Sequence, residues 1–287
     1  MSFGLALSGG GVRGAAHVGV LLALEENRLF PSSIAGSSAG GMAAGLYASG
    51  MTPQDLKELV LELSKMAIHL IDPDYLGLIK AIFEFGSHKC IQFSGLIKGN
   101  KLENYLDRRT DHKKIDEVRI RTIIPSVDLY SGKTIAYCNS LEGVSPVNQV
   151  AWKTGVRISA AMRASLAVPA VFQPKMMNQM CLVDGGVTNI LPVDLLIAAG
   201  EKNVLAVDVS KGYQMPECNN IIEIASHSLS LMQERLRYYI TSGERYLLKP
   251  SLPDSAGLLT FQYLIQCMDA GYEAARELMP TILKLMR

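Results

Sequence analysis

Twice within its first fifty residues the chain passes from a short apolar run through a glycine-rich turn into a helix-forming stretch, and few folds accommodate that repeat. Gly4-Leu-Ala-Leu-Ser8 breaks at Gly9-Gly10-Gly11 before a helical pattern over about 15–27. Ser33-Ile-Ala-Gly36 is followed at once by a small-residue helix over about 39–49. Strands that alternate with helices in this way pair in parallel and need helices on both faces. The expected fold is therefore α/β, a mainly parallel central sheet sandwiched between helices in three layers. No repeat or low-complexity linker divides residues 1–287, so one domain is expected.

Further along, Thr52 is an expected N-cap with Pro53 at the first helical position, and a helix should run to about Ala67. Arg121–Asp128 and Thr134–Cys138 read as strands joined at Ser131-Gly132, and 147–165 reads as helical. Met180–Val183 is a strand stopped by Asp184-Gly185-Gly186. A helix over 192–199 and a strand over 203–209 come next, then a long helix over 221–241 and a strand at Tyr246–Leu248. The last helix covers 264–285, with a break or kink expected at Pro280.

Three of these punctuation points can carry chemistry. Gly36-Ser37-Ser38-Ala39-Gly40 is a G-x-S-x-G where a strand turns sharply into a helix, a geometry that exposes the serine oxygen. A bland reading makes Ser38 an N-cap. Gly9-Gly10-Gly11-Val12-Arg13-Gly14 places successive amides at a helix start, where they form a nest for an anion or oxyanion. The same residues satisfy the G-x-G-x-x-G of a dinucleotide site, but that site wants an acid at the end of the second strand, and Gly36-Ser37-Ser38 stands there. Asp184 ends a strand on a turn that needs glycine. It is either an Asx-turn or an acid that a second backbone can approach, and Asp128 and Asp208 are rivals of the same composition.

Taken together and in order, these motifs resemble the patatin-like phospholipase family: a Gly-Gly-Gly-x-Arg-Gly loop, the G-x-S-x-G elbow and a later D-G-G. Ala164-Ser165-Leu166-Ala167-Val168-Pro169-Ala170-Val171-Phe172 resembles the segment that precedes the family's acid, and the resemblance spans roughly Phe3 to Val209. It is nearest to the compact bacterial members. The resemblance implies a Ser-Asp dyad with Ser38 as nucleophile, Asp184 as base and the Gly9, Gly10 and Gly11 amides as oxyanion hole. Arg13, Gly14, Gly36, Gly40, Gly185 and Gly186 then support those turns. It also implies esters of phospholipids, lysophospholipids or related lipids as substrates, and no metal or cofactor.

An α/β-hydrolase triad in the order serine, acid, histidine is the nearest alternative, and His227 is the only histidine after Asp184. It falls in an amphipathic helix and reads as a surface or core-edge residue. His17 reads as helix packing, while His69, His88 and His112 accompany no motif. A regulatory protein on the same fold remains a third reading.

Composition restricts the partners. Lys plus Arg number 28 against 27 Asp plus Glu, so no overall field attracts nucleic acid or an anionic membrane, and membrane contact must be local. Residues 69–98, rich in Leu, Ile and Phe, read either as the place for it and for the acyl pocket or as a satellite core packed under loops. The uncharged stretch from Leu29 to Gln54 is long enough to span a bilayer, but Pro31 and its Gly, Ser and Ala content divide it into strand and helix. Five scattered cysteines without a C-x-x-C pair argue against a zinc site or a disulfide framework. With no signal-peptide pattern at the N-terminus, a cytoplasmic protein is expected, peripheral to the membrane at most. The sequence sets no oligomeric state.

Overall fold

The computed structural model describes residues 2–77, 79, 95–210, 221–240 and 243–285. In chain order, β1 (Gly4–Leu7) leads through a 3-10 turn at Gly11–Gly14 into α1 (Ala15–Glu26), and β2 (Ser33–Gly36) leads into α2 (Ala39–Ala48). α3 (Pro53–Met66) starts at a capping box in which the Thr52 hydroxyl accepts from Asp55 N–H at 3.1 Å and the Asp55 carboxylate accepts from Thr52 N–H at 2.8 Å. Then come α4 (Asn100–Arg109), β3 (Arg121–Asp128), β4 (Lys133–Cys138), β5 (Val150–Lys153) and α5 (Ile158–Ser165). β6 (Lys175–Met177), β7 (Met180–Asp184), α6 (Val193–Ala198) and β8 (Val204–Val207) follow. The chain ends with α7 (Ile221–Ile240), β9 (Tyr246–Leu248) and α8 (Leu264–Leu285).

One mostly parallel sheet organises these elements in the order β5-β4-β3-β2-β1-β8-β9. Alternate residues of β1 explain the layers. Leu5 and Leu7 pack with Leu21, Leu24 and Leu46 of α1 and α2 on one face, whereas Ala6 packs with Val193, Leu195 and Leu196 of α6 on the other. Strands buried on both faces need apolar side chains at every position, which is why GLAL and VLAV show no polar alternation.

The arrangement around β3 positions the site. Its first half pairs in parallel with β2, Ala35 opposite Ile123, while its second half pairs antiparallel with β7, Asp184 opposite Ser126. β2 and β7 therefore lie on the same side of β3 and run toward each other. The residues that follow β2 meet the last residue of β7 in the gap between them.

Four expectations need correction or extension. Residues 147–165 are not one helix: Val150–Lys153 pairs in parallel with β4, Gly155 at φ +78° turns the chain, and only Ile158–Ser165 is helical. A β-branched residue and Trp152 on a sheet edge outweigh a weak helical pattern there. α4 and β6 went unanticipated. β6 pairs with β7 across Asn178 and Gln179, both at positive φ as a type I′ turn requires, without the glycine that usually signals one. Finally, α8 continues through Pro280, which lies on its exposed face between buried Met279 and Ile282.

Candidate active site

Ser38 occupies the sharp turn between β2 and α2 with φ +53° and ψ −123°, a conformation that costs a non-glycine residue about 1–3 kcal/mol. Packing enforces it. A Cβ on Gly36 would strike the Gly40 carbonyl, and one on Gly40 would strike the Leu7 and Ser8 carbonyls, so only glycine lets the turn close against β1. Although Ser38 stands at the N-cap position, its side chain makes no capping bond. Its hydroxyl instead donates to Asp184 Oδ2 at 2.6 Å.

Asp184 divides its two oxygens. Oδ1 accepts from Gly186 N–H at 2.6 Å, which is the Asx-turn, and Oδ2 faces Ser38. The Asx-turn therefore occupies one oxygen, and the Ser38 hydroxyl the other. A Cβ on Gly185 would strike the Pro125 carbonyl of β3, so glycine lets the turn pack under the sheet edge. Burial raises the Asp184 pKa to about 6, against the lowering effects of the Ser38 hydroxyl and the Gly186 amide.

The rival acids are spent elsewhere. Asp128 accepts from the backbone of Tyr130, Ser131 and Cys181 and closes its own hairpin. Asp208, fully buried, forms an ion pair with Arg237.

The glycine turn after β1 presents a narrower surface than the motif suggests. Gly9 N–H donates to the Ile190 carbonyl at 2.9 Å and is therefore engaged. Val12 N–H donates to Gly257 O and Arg13 N–H to Gly10 O, both at 3.2 Å. Among the described residues, Gly10 and Gly11 N–H have no partner. Arg13 Nε donates to Gly10 O at 3.4 Å, and burial lowers the Arg13 pKa. A Cβ on Gly14 would meet that of Ala39, so this glycine lets the two helix starts touch.

Two contributors escaped sequence reasoning. Ser165 is fully buried, and its Oγ accepts from Ser38 N–H at 2.9 Å. The Asn189 carbonyl accepts from the hydroxyl of Ser37, while its side chain reaches Thr134 Oγ1 at 3.0 Å and Asp194 at 3.0–3.2 Å. The spacing of Asn189 five residues after Asp184 was the available signal. Ser165 falls in the stretch Ala164–Phe172 noted for its resemblance, but nothing in that stretch marked it as the partner of the Ser38 amide.

No histidine contacts the pair among the described residues. Asp184 bonds Ser38 and Gly186, and neither Ser38 nor Asp184 bonds an imidazole. His17 Nε2–H donates to Ser8 O at 2.8 Å, and burial lowers its pKa to about 4, so it is a neutral packing residue. His112 lies at the surface against Asp107, and His88 lies outside the described residues. No cluster of His, Cys, Asp or Glu among the described residues could hold a metal ion.

A cleft with 790 Å³ of empty space, open solvent at its mouth included, extends from Ser38 and Gly11. Its walls are apolar and include Met42, Leu63, Leu102 and Phe172. Of the segment over 69–98, Leu70 and Ile71 line the cleft, and residues 78 and 80–94 lie outside the described residues. Ile68, Tyr75, Leu76 and Ile79 are exposed. No helix among the described residues is long and apolar enough to cross a membrane.

Comparison with known proteins gives the family and the fold. Residues 5–197 match the model of the patatin-like phospholipases. An uncharacterised NTE family protein of Mycobacterium tuberculosis is 26% identical over 206 residues, 72% of this chain and 48% of that protein. The lysophospholipase NTE1 of Saccharomyces cerevisiae is 27% identical over 213 residues, 72% of this chain and 11% of that protein. The matched stretch thus spans less than half the length of these relatives. VipD from Legionella pneumophila shares the fold, with a TM-score of 0.53 at 16% identity over 97% of this chain and 67% of that one.

Proposed function

The chain belongs to the patatin-like phospholipase family, and on that premise we propose that it is a lipid acyl hydrolase working through an acyl-enzyme on Ser38. The observation that carries this reading is the 2.6 Å hydrogen bond from Ser38 Oγ to Asp184 Oδ2 at the end of an apolar cleft. Asp184 takes the hydroxyl proton as the serine oxygen attacks the ester carbonyl, and returns it to the leaving alcohol. Water then attacks the acyl-serine with the same carboxylate as base. A carboxyl group whose pKa burial raises to about 6 is a better base at neutral pH than an exposed one and is still largely ionised.

The negative charge on the tetrahedral oxygen falls to the unpartnered Gly10 and Gly11 amides, with α1 behind them adding its positive end. Gly9 is assigned a supporting role, since its amide holds the bend at Ile190, ahead of α6, in place. Arg13 braces the turn through Gly10 O and stays charged. No step of this chemistry calls for a cofactor. The substrate class is a lipid ester, acyl chain in the cleft, and the lysophospholipase among the relatives supports that choice. The exposed Ile68, Tyr75, Leu76 and Ile79 continue the cleft wall in sequence and support contact with a lipid surface.

A fluorophosphonate probe tests the reading directly. It is expected to label the wild-type protein and not Ser38→Ala, and p-nitrophenyl ester hydrolysis should follow the label. A folded wild-type protein that takes no label would replace the enzyme with a binding protein on this fold.

A further inference from the structure

The family match ends at residue 197, yet one side of the cleft is built by Leu258, Leu259, Phe261 and Leu264. These residues belong to the stretch that enters α8. Its attachment to the glycine turn is direct: Val12 N–H donates to Gly257 O at 3.2 Å, and Gly257 N–H donates to Thr260 Oγ1 at 2.7 Å. Leu258 lies so close that a Cβ on Gly11 would come within 2.7 Å of its Cα. The same Leu258 packs on the separate apolar cluster of Ile97, Ala167, Val171 and Phe172. It therefore bridges from the turn that faces Ser38 to the opposite wall of the cleft. Phe261 opens a 3-10 turn that packs on α3, whose Leu63 also lines the cleft.

The wall is fixed by how α8 is seated. A Cβ on Gly19 of α1 would strike the Met268 carbonyl of α8, and one on Gly271 of α8 would strike the Ala16 carbonyl of α1. Two helices in backbone contact through facing glycines cannot slide or swing without losing that fit. The wall residues Leu258 and Phe261 are thus held between the Val12–Gly257 hydrogen bond on one side and the seated α8 on the other.

We propose that Leu258 and Phe261 set the acyl-chain selectivity of the site, so that chain length and bulk are chosen by the C-terminal segment outside the family match. The inference rests on reading the site as an acyl hydrolase. A change of one methylene in an apolar pocket is worth about 10–200-fold in discrimination, so wall substitutions should be plainly visible.

The test compares kcat/KM for p-nitrophenyl acetate, octanoate and dodecanoate in the full-length wild type, Leu258→Ala, Leu258→Trp and Phe261→Ala. Leu258→Trp is expected to lower the dodecanoate-to-acetate ratio by about tenfold or more, and the two alanine variants to raise it several-fold. Because Leu258 also touches Gly11, Leu259→Trp, at an exposed rim position, supplies a variant of independent foldability and should also lower the ratio. Thermal melting and fluorophosphonate labelling report that each variant is folded with an activated serine. Ratios within twofold of wild type in folded, labelled variants overturn the proposal while leaving the hydrolase reading intact. A wild type that neither takes the probe nor hydrolyses any ester overturns the hydrolase reading itself, and this inference with it.

Discussion

The turns after β1 and β2 are built from the same materials, glycines between a buried strand and the start of a helix, yet they expose opposite kinds of group. After β2, the Ser38 amide is taken by Ser165 and the side chain is left to project toward Asp184. After β1, there is no side chain at Gly10 or Gly11, and what remains without a partner among the described residues is two backbone amides. In one turn the amides of Ser37 and Ser38 are satisfied and a hydroxyl is presented. In the other such bonds are withheld so that the backbone itself is presented. A glycine-rich strand-to-helix turn is thus a blank whose role depends on which of its polar groups the rest of the protein engages.

The largest effects should come from the turn that presents a side chain. Ser38→Ala and Asp184→Asn are each expected to lower kcat for a p-nitrophenyl ester by about 10³-fold or more, because both steps of acyl transfer need the pair. Equal activity in either variant would make the second turn merely structural. Gly11→Ala tests the first turn: φ +59° and Leu258 both oppose a side chain there, so the amide must shift. Loss of about 10²-fold in kcat with little change in KM is expected, the worth of one oxyanion donor. Gly9→Ala, whose Cβ would meet the flexible end of Ile190 at 2.6 Å and the Ser38 Cβ at 3.2 Å, should cost less than Gly11→Ala; a reversed ranking with fluorophosphonate labelling of Ser38 intact would return the oxyanion role to Gly9.

Ser165→Ala should lower kcat by about tenfold and stability by about 1–3 kcal/mol, since it leaves the buried Ser38 N–H without a partner. Steady-state kinetics and chemical denaturation check the two together. The pH dependence has a definite sign. Asp184 titrates near 6 in the fold against 3.8 when unperturbed, so the fold favours its neutral form, and stability falls as pH rises through about 6. The penalty reaches about 3 kcal/mol above that range, and Asp184→Asn should therefore gain stability over wild type from pH 4 to 8 while wild-type activity rises through the same window. A melting difference independent of pH would mean that the carboxylate is not desolvated. The smallest effect belongs to His227→Ala, which is expected to retain most activity; its loss in a folded variant would demand a triad.

Much of the fold was legible because periodicity and glycine punctuation act locally. Gly36 and Gly40 could be assigned to a tight turn, and Gly185 to a close approach, since those constraints are written in the residue that meets them. The misread stretch at 147–165 shows the limit: Val150–Lys153 becomes a strand only because β4 is there to pair with it. The site shows the same division. Ser38 and Asp184 were recognisable, but Ser165 and Asn189 act through bonds to partners more than a hundred residues away.

The sequence by itself determined which residue types stand at the ends of the strands: a serine after the second, an acid at the end of a later one, glycines where only glycine fits. Tertiary structure alone decided which of them meet. Because β2 and β7 converge on the same side of β3, Ser38 and Asp184, 146 positions apart, come within hydrogen-bonding distance. Because Ile190 captures Gly9, the glycine amides of that turn left without a partner among the described residues are those of Gly10 and Gly11. The physical reason is common to both: side-chain identity and backbone freedom are properties of a residue, whereas a satisfied or unsatisfied hydrogen bond belongs to a pair that only the folded chain brings together.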